Sequence, residues 1–99
     1  MWFNENEKEI LGPFAAFIRQ YEDRDFLFEY PDGTKLVVSL EIPEYESDNG
    51  LDMEDDEFEE YWELAFVVEE VLADPTGAHE EGDRLLVNYH CVPIQYSCQ

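Results

Sequence analysis

Basic residues are scarce in this chain: five Lys and Arg stand against 26 Asp and Glu in 99 residues, for a formal net charge of −21. None of the five lies between Leu36 and Asp83, a stretch that carries eighteen of the carboxylates. A field with no local cation to offset it repels nucleic-acid backbones and anionic membrane surfaces, which excludes direct binding to either. It attracts cations and basic protein surfaces instead. Long apolar runs are also missing, so no segment reads as a membrane span. Met1-Trp2-Phe3 is followed by Asn4, Glu5, Glu7, Lys8 and Glu9 rather than by the continuous apolar run of a signal peptide. The expected compartment is therefore the cytoplasm. Cysteine is rare too. Cys91 and Cys98 could close a short loop if oxidised, but two free thiols are the expectation in a reducing compartment.

What is present argues for a folded body. The chain is 44% hydrophobic and 15% aromatic, with seven Phe, six Tyr and two Trp, far too apolar for a disordered acidic tail. Its length fits one domain over residues 1–99, with a radius of gyration of about 13 Å. Mutual repulsion among the carboxylates opposes compaction.

Gly12-Pro13 punctuates the N-terminus, and Phe14, Phe17, Ile18 and Tyr21 recur behind it at helical spacing. Residues 13–22 are thus predicted as a short amphipathic helix that must pack on something to persist. Extended segments follow. Phe26, Phe28 and Tyr30 alternate with Leu27 and Glu29; Leu36, Val38 and Leu40 alternate with Val37, Ser39 and Glu41. Pro31-Asp32-Gly33 between them predicts a hairpin turn. Residues 43–57 read as a long acidic loop, with Tyr45, Leu51 and Met53 its large apolar residues and Ser47-Asp48-Asn49-Gly50 promoting turns. Residues 58–72 satisfy both a helical stripe and a strand alternation. Their aromatic and β-branched content favours a long bent strand over about 61–72, following a helical turn at 54–60. Arg84–His90 reads as a further strand, and Val92-Pro93-Ile94 as a last short edge strand, where proline is permitted.

This order predicts an α+β or mostly β fold: a short N-terminal helix, then a small antiparallel sheet or a partly open SH3-like barrel of four to five strands. Glu81-Gly82-Asp83 leading into an apolar strand resembles the turns that precede strands in SH3-like small barrels, which implies the barrel variant.

Four constellations could carry chemistry. Asp48, Asp52, Glu54, Asp55, Asp56 and Glu57 offer hard oxygen ligands of the kind Ca²⁺ or Mg²⁺ takes. The EF-hand register fails, because Met53 or Glu57 falls where the loop glycine belongs. His79, His90, Cys91 and Cys98 suit zinc chemically but lack a CxxC pair, and His90 and Cys91 point oppositely if their strand continues. Paired carboxylates are too numerous here to single out any pair. No metal or cofactor is therefore expected. Few basic groups exist to hold an anionic transition state, and no Gly-rich phosphate loop is present, which disfavours an enzyme. The aromatics are the fourth group. Tyr45 and Tyr61 bracket the acidic loop and suit a protein-binding face with aromatic anchors in a charged rim. Trp2 and Phe3 suit caps on the fold or a homodimer contact.

The reading that follows is a small acidic protein-binding module docking on a basic protein surface. Its candidate contact residues are Tyr45, Asp48, Asp52, Glu54, Asp55, Asp56, Glu57 and Tyr61. An inhibitor or immunity-type protein that sets carboxylates in the place of phosphates is the concrete form of this reading. A structural or regulatory subunit of a larger assembly, and a small enzyme or divalent-metal-binding protein, are the alternatives.

Overall fold

The computed structural model describes residues 2–99. One helix, α1 (Glu5–Gln20), precedes five strands: β1 (Asp25–Glu29), β2 (Lys35–Asp48), β3 (Glu60–Ala73), β4 (Arg84–Val87) and β5 (Gln95–Cys98). The strands form a single antiparallel sheet in the order β4-β3-β2-β1-β5. The α+β expectation is met. The barrel variant is not, because β4 and β5 are the two edges of an open sheet rather than neighbours.

The helix begins eight residues earlier than the sequence pattern placed it. Asn4 is its N-cap, with the side chain accepting the Glu7 N–H at 2.8 Å. Pro13 lies inside the helix rather than at its start. An interior proline forfeits one backbone bond and costs about 3 kcal/mol. Burial of Leu11, Phe14 and Ile18, each at 1% exposure or less, contributes about 1.5–3 kcal/mol apiece and outweighs that cost.

That helical face covers one side of the sheet. Phe14 meets Phe28, Phe66 and Tyr96 at ring-centroid separations of 5.5, 6.1 and 4.9 Å, and Phe28 meets Phe66 at 5.0 Å. Phe26, Leu36, Val38, Leu64, Val68 and Val87 complete the core. The β1–β2 hairpin is as the sequence predicts. Gly33 has φ 93°, the Tyr30 N–H donates to the Thr34 carbonyl, and the Asp32 carboxylate accepts the Thr34 N–H. The predicted strand over 61–72 also forms, as β3, since both its edges find partners, in β2 and in β4.

Elsewhere the boundaries move. β2 runs on through Pro43 to Asp48, so the acidic loop spans 49–59 rather than 43–57. Register shifts between Leu40 and Ile42 and between Ile42 and Tyr45 accommodate the proline, as bulges do. The segment before β3 forms two successive hydrogen-bonded turns, Asp55 N–H to Asp52 and Phe58 N–H to Asp55, and no helical turn. β4 stops at Val87, because Asn88 caps a turn by accepting the His90 N–H. The last strand starts at Gln95, one residue beyond the Val92-Pro93-Ile94 segment, and pairs with β1.

Candidate partner-binding surface

The β2–β3 hairpin is the longest feature of the fold, two strands of 14 residues each, and it carries the acidic loop at its tip. Register sets Tyr45 opposite Glu63, Ser47 opposite Tyr61 and Asp48 opposite Glu60. The Tyr45 hydroxyl donates to the buried Glu63 carboxylate at 2.8 Å, and the Asn88 amide donates to its other oxygen at 3.2 Å. Burial, with the Glu63 carboxylate beside it, pushes the Tyr45 phenol up to about 12. Tyr61 donates to the Asp48 carbonyl at 3.0 Å, and burial raises its pKa also.

A second polar group adjoins this one. Glu59 accepts from the Tyr89 hydroxyl and lies 2.6 Å from His90 Nε2. The Tyr89 hydrogen bond, then the one with His90, holds the Glu59 carboxyl below its usual range. His90 stacks on Tyr89 at 4.0 Å and meets Tyr61 edge-on at 6.0 Å. This network ties the loop base to the turn after β4. The sequence reading missed it, since only cross-strand register brings Glu63, Asn88 and Tyr45 together; the one local signal was the Asn88 turn.

Above this base the loop is organised by its own polar groups. Asp48 accepts the Gly50 N–H, Asp55 accepts the Glu57 N–H, and Asn49 donates to the Glu57 carbonyl, each at 2.8 Å. Asp52, Glu54, Asp55, Asp56 and Glu57 are all exposed. Among the described residues no Lys, Arg or His forms an ion pair with any of them: Arg19 pairs with Glu44, Lys35 with Glu29, Arg84 with Glu41 and His90 with Glu59. Two apolar side chains stand in this field, Leu51 at 41% and Met53 at 81% exposure. The eight expected contact residues thus divide. Tyr45, Asp48 and Tyr61 come together at the loop base, with the tyrosine hydroxyls engaged internally, and the other five are exposed on the loop, Asp55 with its carboxylate on the Glu57 N–H.

The remaining candidates separate. His90 is committed to Glu59, while the Cys91 thiol, raised by burial, lies against the Leu86 carbonyl at 3.6 Å. They occupy a turn rather than the strand expected of them. Cys98 lies on β5 opposite Phe26, and both cysteines are free thiols. Among the described residues no three His, Cys, Asp or Glu cluster as a metal site, and no helix is long and apolar enough to cross a membrane. Trp2 and Phe3 pack on their own chain, Trp2 over Gly12 and Phe3 against Trp62 at 6.0 Å.

No curated protein and no solved structure matches the chain. The model of the family described as "Cognate immunity protein YxxD" matches residues 11–90, from the first core residue of the helix to the histidine of the loop-base network. The chain belongs to that family, and it is an immunity-type protein whose partner is a toxin.

Proposed function

We propose that this immunity protein neutralises its toxin by setting the acidic tip of the β2–β3 hairpin against a basic surface of that toxin. The observation that carries this reading is the loop itself. Asp52, Glu54, Asp56 and Glu57 are exposed, form no ion pair among the described residues, and share the loop with the exposed Leu51 and Met53. Apolar contacts within a charged rim are the usual anatomy of a protein interface, and a flexible thioether adapts to an irregular partner surface. A one-signed field raises the rate of encounter with an oppositely charged partner. On a toxin that acts on nucleic acid, these carboxylates would occupy the places of phosphates. The network of Glu63, Tyr45, Asn88 and Tyr61 fixes the loop base, so less ordering remains to be done on docking. The two free thiols suit complex formation in a reducing compartment.

The test is affinity for the purified toxin at low and high NaCl, with the wild type and with a loop variant carrying D52N, E54Q, D56N and E57Q. The wild-type affinity should weaken at least tenfold with salt, chiefly through slower association. The variant should associate more slowly and lose most of the salt dependence. Salt-insensitive affinity, or a variant that binds as the wild type does, would overturn this reading.

A further inference from the structure

Four asparagines occur in the chain, and Asn49 alone is followed by glycine. The pair is a chemical feature as well as a turn signal. An asparagine side-chain amide can be attacked by the backbone nitrogen of the next residue. A side chain on that residue shields the nitrogen, and glycine leaves it bare. Asn49 and Gly50 are both exposed, where the chain leaves β2 for the acidic loop. Gly50 has φ 81°, in the left-handed region that favours glycine, and a Cβ built there would meet nothing within 4 Å.

Each group that takes part in such an attack already has a partner here. The Gly50 N–H, on the nucleophile, donates to the Asp48 carboxylate at 2.8 Å, so a base is aligned with the proton to be lost. Asn49 Oδ1, on the carbon to be attacked, accepts the Leu51 N–H at 3.3 Å, a donor placed where negative charge develops. Asn49 Nδ2, the leaving group, donates to the Glu57 carbonyl at 2.8 Å. That last bond crosses the loop and, with the Asn49 N–H on the Glu59 carbonyl at 3.1 Å, closes it. One neutral hydrogen bond on an exposed loop restrains the amide only weakly. The side chain that stitches the loop shut is therefore also the amide most open to attack.

We propose that Asn49 is a self-modification site: in water the folded loop converts this amide to a carboxylate through a cyclic imide, and so loses its closing bond. The Gly50 nitrogen passes its proton to the Asp48 carboxylate and bonds to Asn49 Cγ, while the Leu51 N–H steadies the oxyanion. The Cγ–Nδ2 bond then breaks, and Nδ2 leaves as ammonia with the transferred proton. Water opens the imide at either carbonyl, which yields aspartate or isoaspartate. Neither product has a donor for the Glu57 carbonyl, and both add a negative charge beside Asp48. Isoaspartate also lengthens the backbone by one methylene. The closed loop therefore has a finite chemical lifetime. This goes beyond toxin docking and does not rest on it, because the change is covalent and is read without a partner.

The experiment incubates the purified protein in warm neutral buffer and follows the mass of the segment containing Asn49, beside a synthetic peptide of residues 45–60 that lacks the fold. The folded protein should lose the amide at least as fast as the peptide, with Asn4, Asn6 and Asn88 unchanged over the same period. Asp48→Asn keeps an acceptor for the Gly50 N–H but removes the base. It should slow the folded protein severalfold and the matching peptide hardly at all. Asn49→Gln, whose side chain is one methylene too long for the five-membered ring, should stop the conversion. Amide exchange across residues 49–59 should quicken in the converted fraction. A folded protein that converts more slowly than the peptide, or an Asp48→Asn variant that converts as fast as the wild type, would overturn the proposal. Unchanged exchange in the converted loop would overturn the loss of its closing bond. Toxin affinity enters none of these measurements, so failure here leaves loop docking standing, and a salt-insensitive toxin complex leaves the modification site standing.

Discussion

Glu7 is the least conventional buried residue of the helix, a carboxylate at 0% exposure that forms no ion pair among the described residues. One oxygen accepts the Phe3 N–H at 2.9 Å, and the other accepts the Trp62 N–H at 2.7 Å, joining the first helical turn to the start of β3. Its position in the first turn of α1 also sets it in the positive end of the helix dipole. Replacing it with alanine removes two bonds to a charged acceptor, each contributing about 1.5–3 kcal/mol. The Phe3 amide belongs to an exposed residue and regains water. The Trp62 amide does not regain a partner so easily, which costs about 1–3 kcal/mol, and the emptied methylene volume adds about 1 kcal/mol. Relief of the buried charge works the other way by several kcal/mol. The balance favours a loss of about 3 kcal/mol for Glu7→Ala, a large share of the 5–15 kcal/mol that holds a domain of this size. Glu7→Gln retains one acceptor and sheds the charge, and should cost about 1 kcal/mol. Urea unfolding followed by circular dichroism measures both, and amide exchange at Trp62 should accelerate in the alanine variant more than at core strand positions. If Glu7→Gln stabilises the protein, or Glu7→Ala costs under about 1 kcal/mol, the burial penalty outweighs the bonds and the joining role fails.

Other expectations are simpler. Gly12→Ala should stabilise the protein by about 0.5–1 kcal/mol, since helix propensity improves and the new methyl meets only Trp2 Cζ2 at 3.8 Å; a lower unfolding midpoint would refute this. Tyr45 titrates near 12, and Tyr30, Tyr61 and Tyr89 are also raised, the first two mainly by burial or desolvation and Tyr89 first by its bond to Glu59. Folding therefore favours the neutral phenols. Their contribution is complete below about pH 10, the ordinary tyrosine value, and is lost as pH rises toward 12. Urea midpoints should fall across that window, less steeply in Tyr45→Phe. Net repulsion from a charge of −21 predicts that stability rises with NaCl, and a midpoint that falls would show specific ion pairs outweighing it.

Short-range chemistry made part of the fold legible. Pro31-Asp32-Gly33 specifies its turn locally, and the alternation on either side of it survives into the structure. The helix start was equally available, since Asn4 and Glu7 have the cap-to-N3 spacing, but Gly12-Pro13 looked like a boundary. It is not one, because the apolar face continues through it. Strand ends were harder. Pro43 and the bulges shift the side-chain phase of β2, so that Tyr45 and Ser47 do not continue the alternation of Leu36, Val38 and Leu40. The acidic loop was visible as charge. The network beneath it was not, because Glu63, Tyr45 and Asn88 lie on three different segments and meet only through sheet register.

The geometry of β2 bears on how far a partner held at the loop tip can reach. Thr34 immediately precedes the strand and Asp48 ends it. Its 14 residues, at about 3.3 Å each, give a contour of roughly 45 Å, shortened by bulges and curl within a longest molecular dimension of 41 Å. A standard partner covers about 800 Å² of one protein, a patch roughly 30 Å across. The β1–β2 turn and the loop tip therefore fall under different footprints unless a partner wraps the whole hairpin. Asp32→Asn, which keeps an acceptor for the Thr34 N–H, should leave toxin association unchanged apart from a slight electrostatic weakening that salt removes. An effect of Asp32→Asn that persists at high salt would mean that a single extended partner engages the hairpin from end to end.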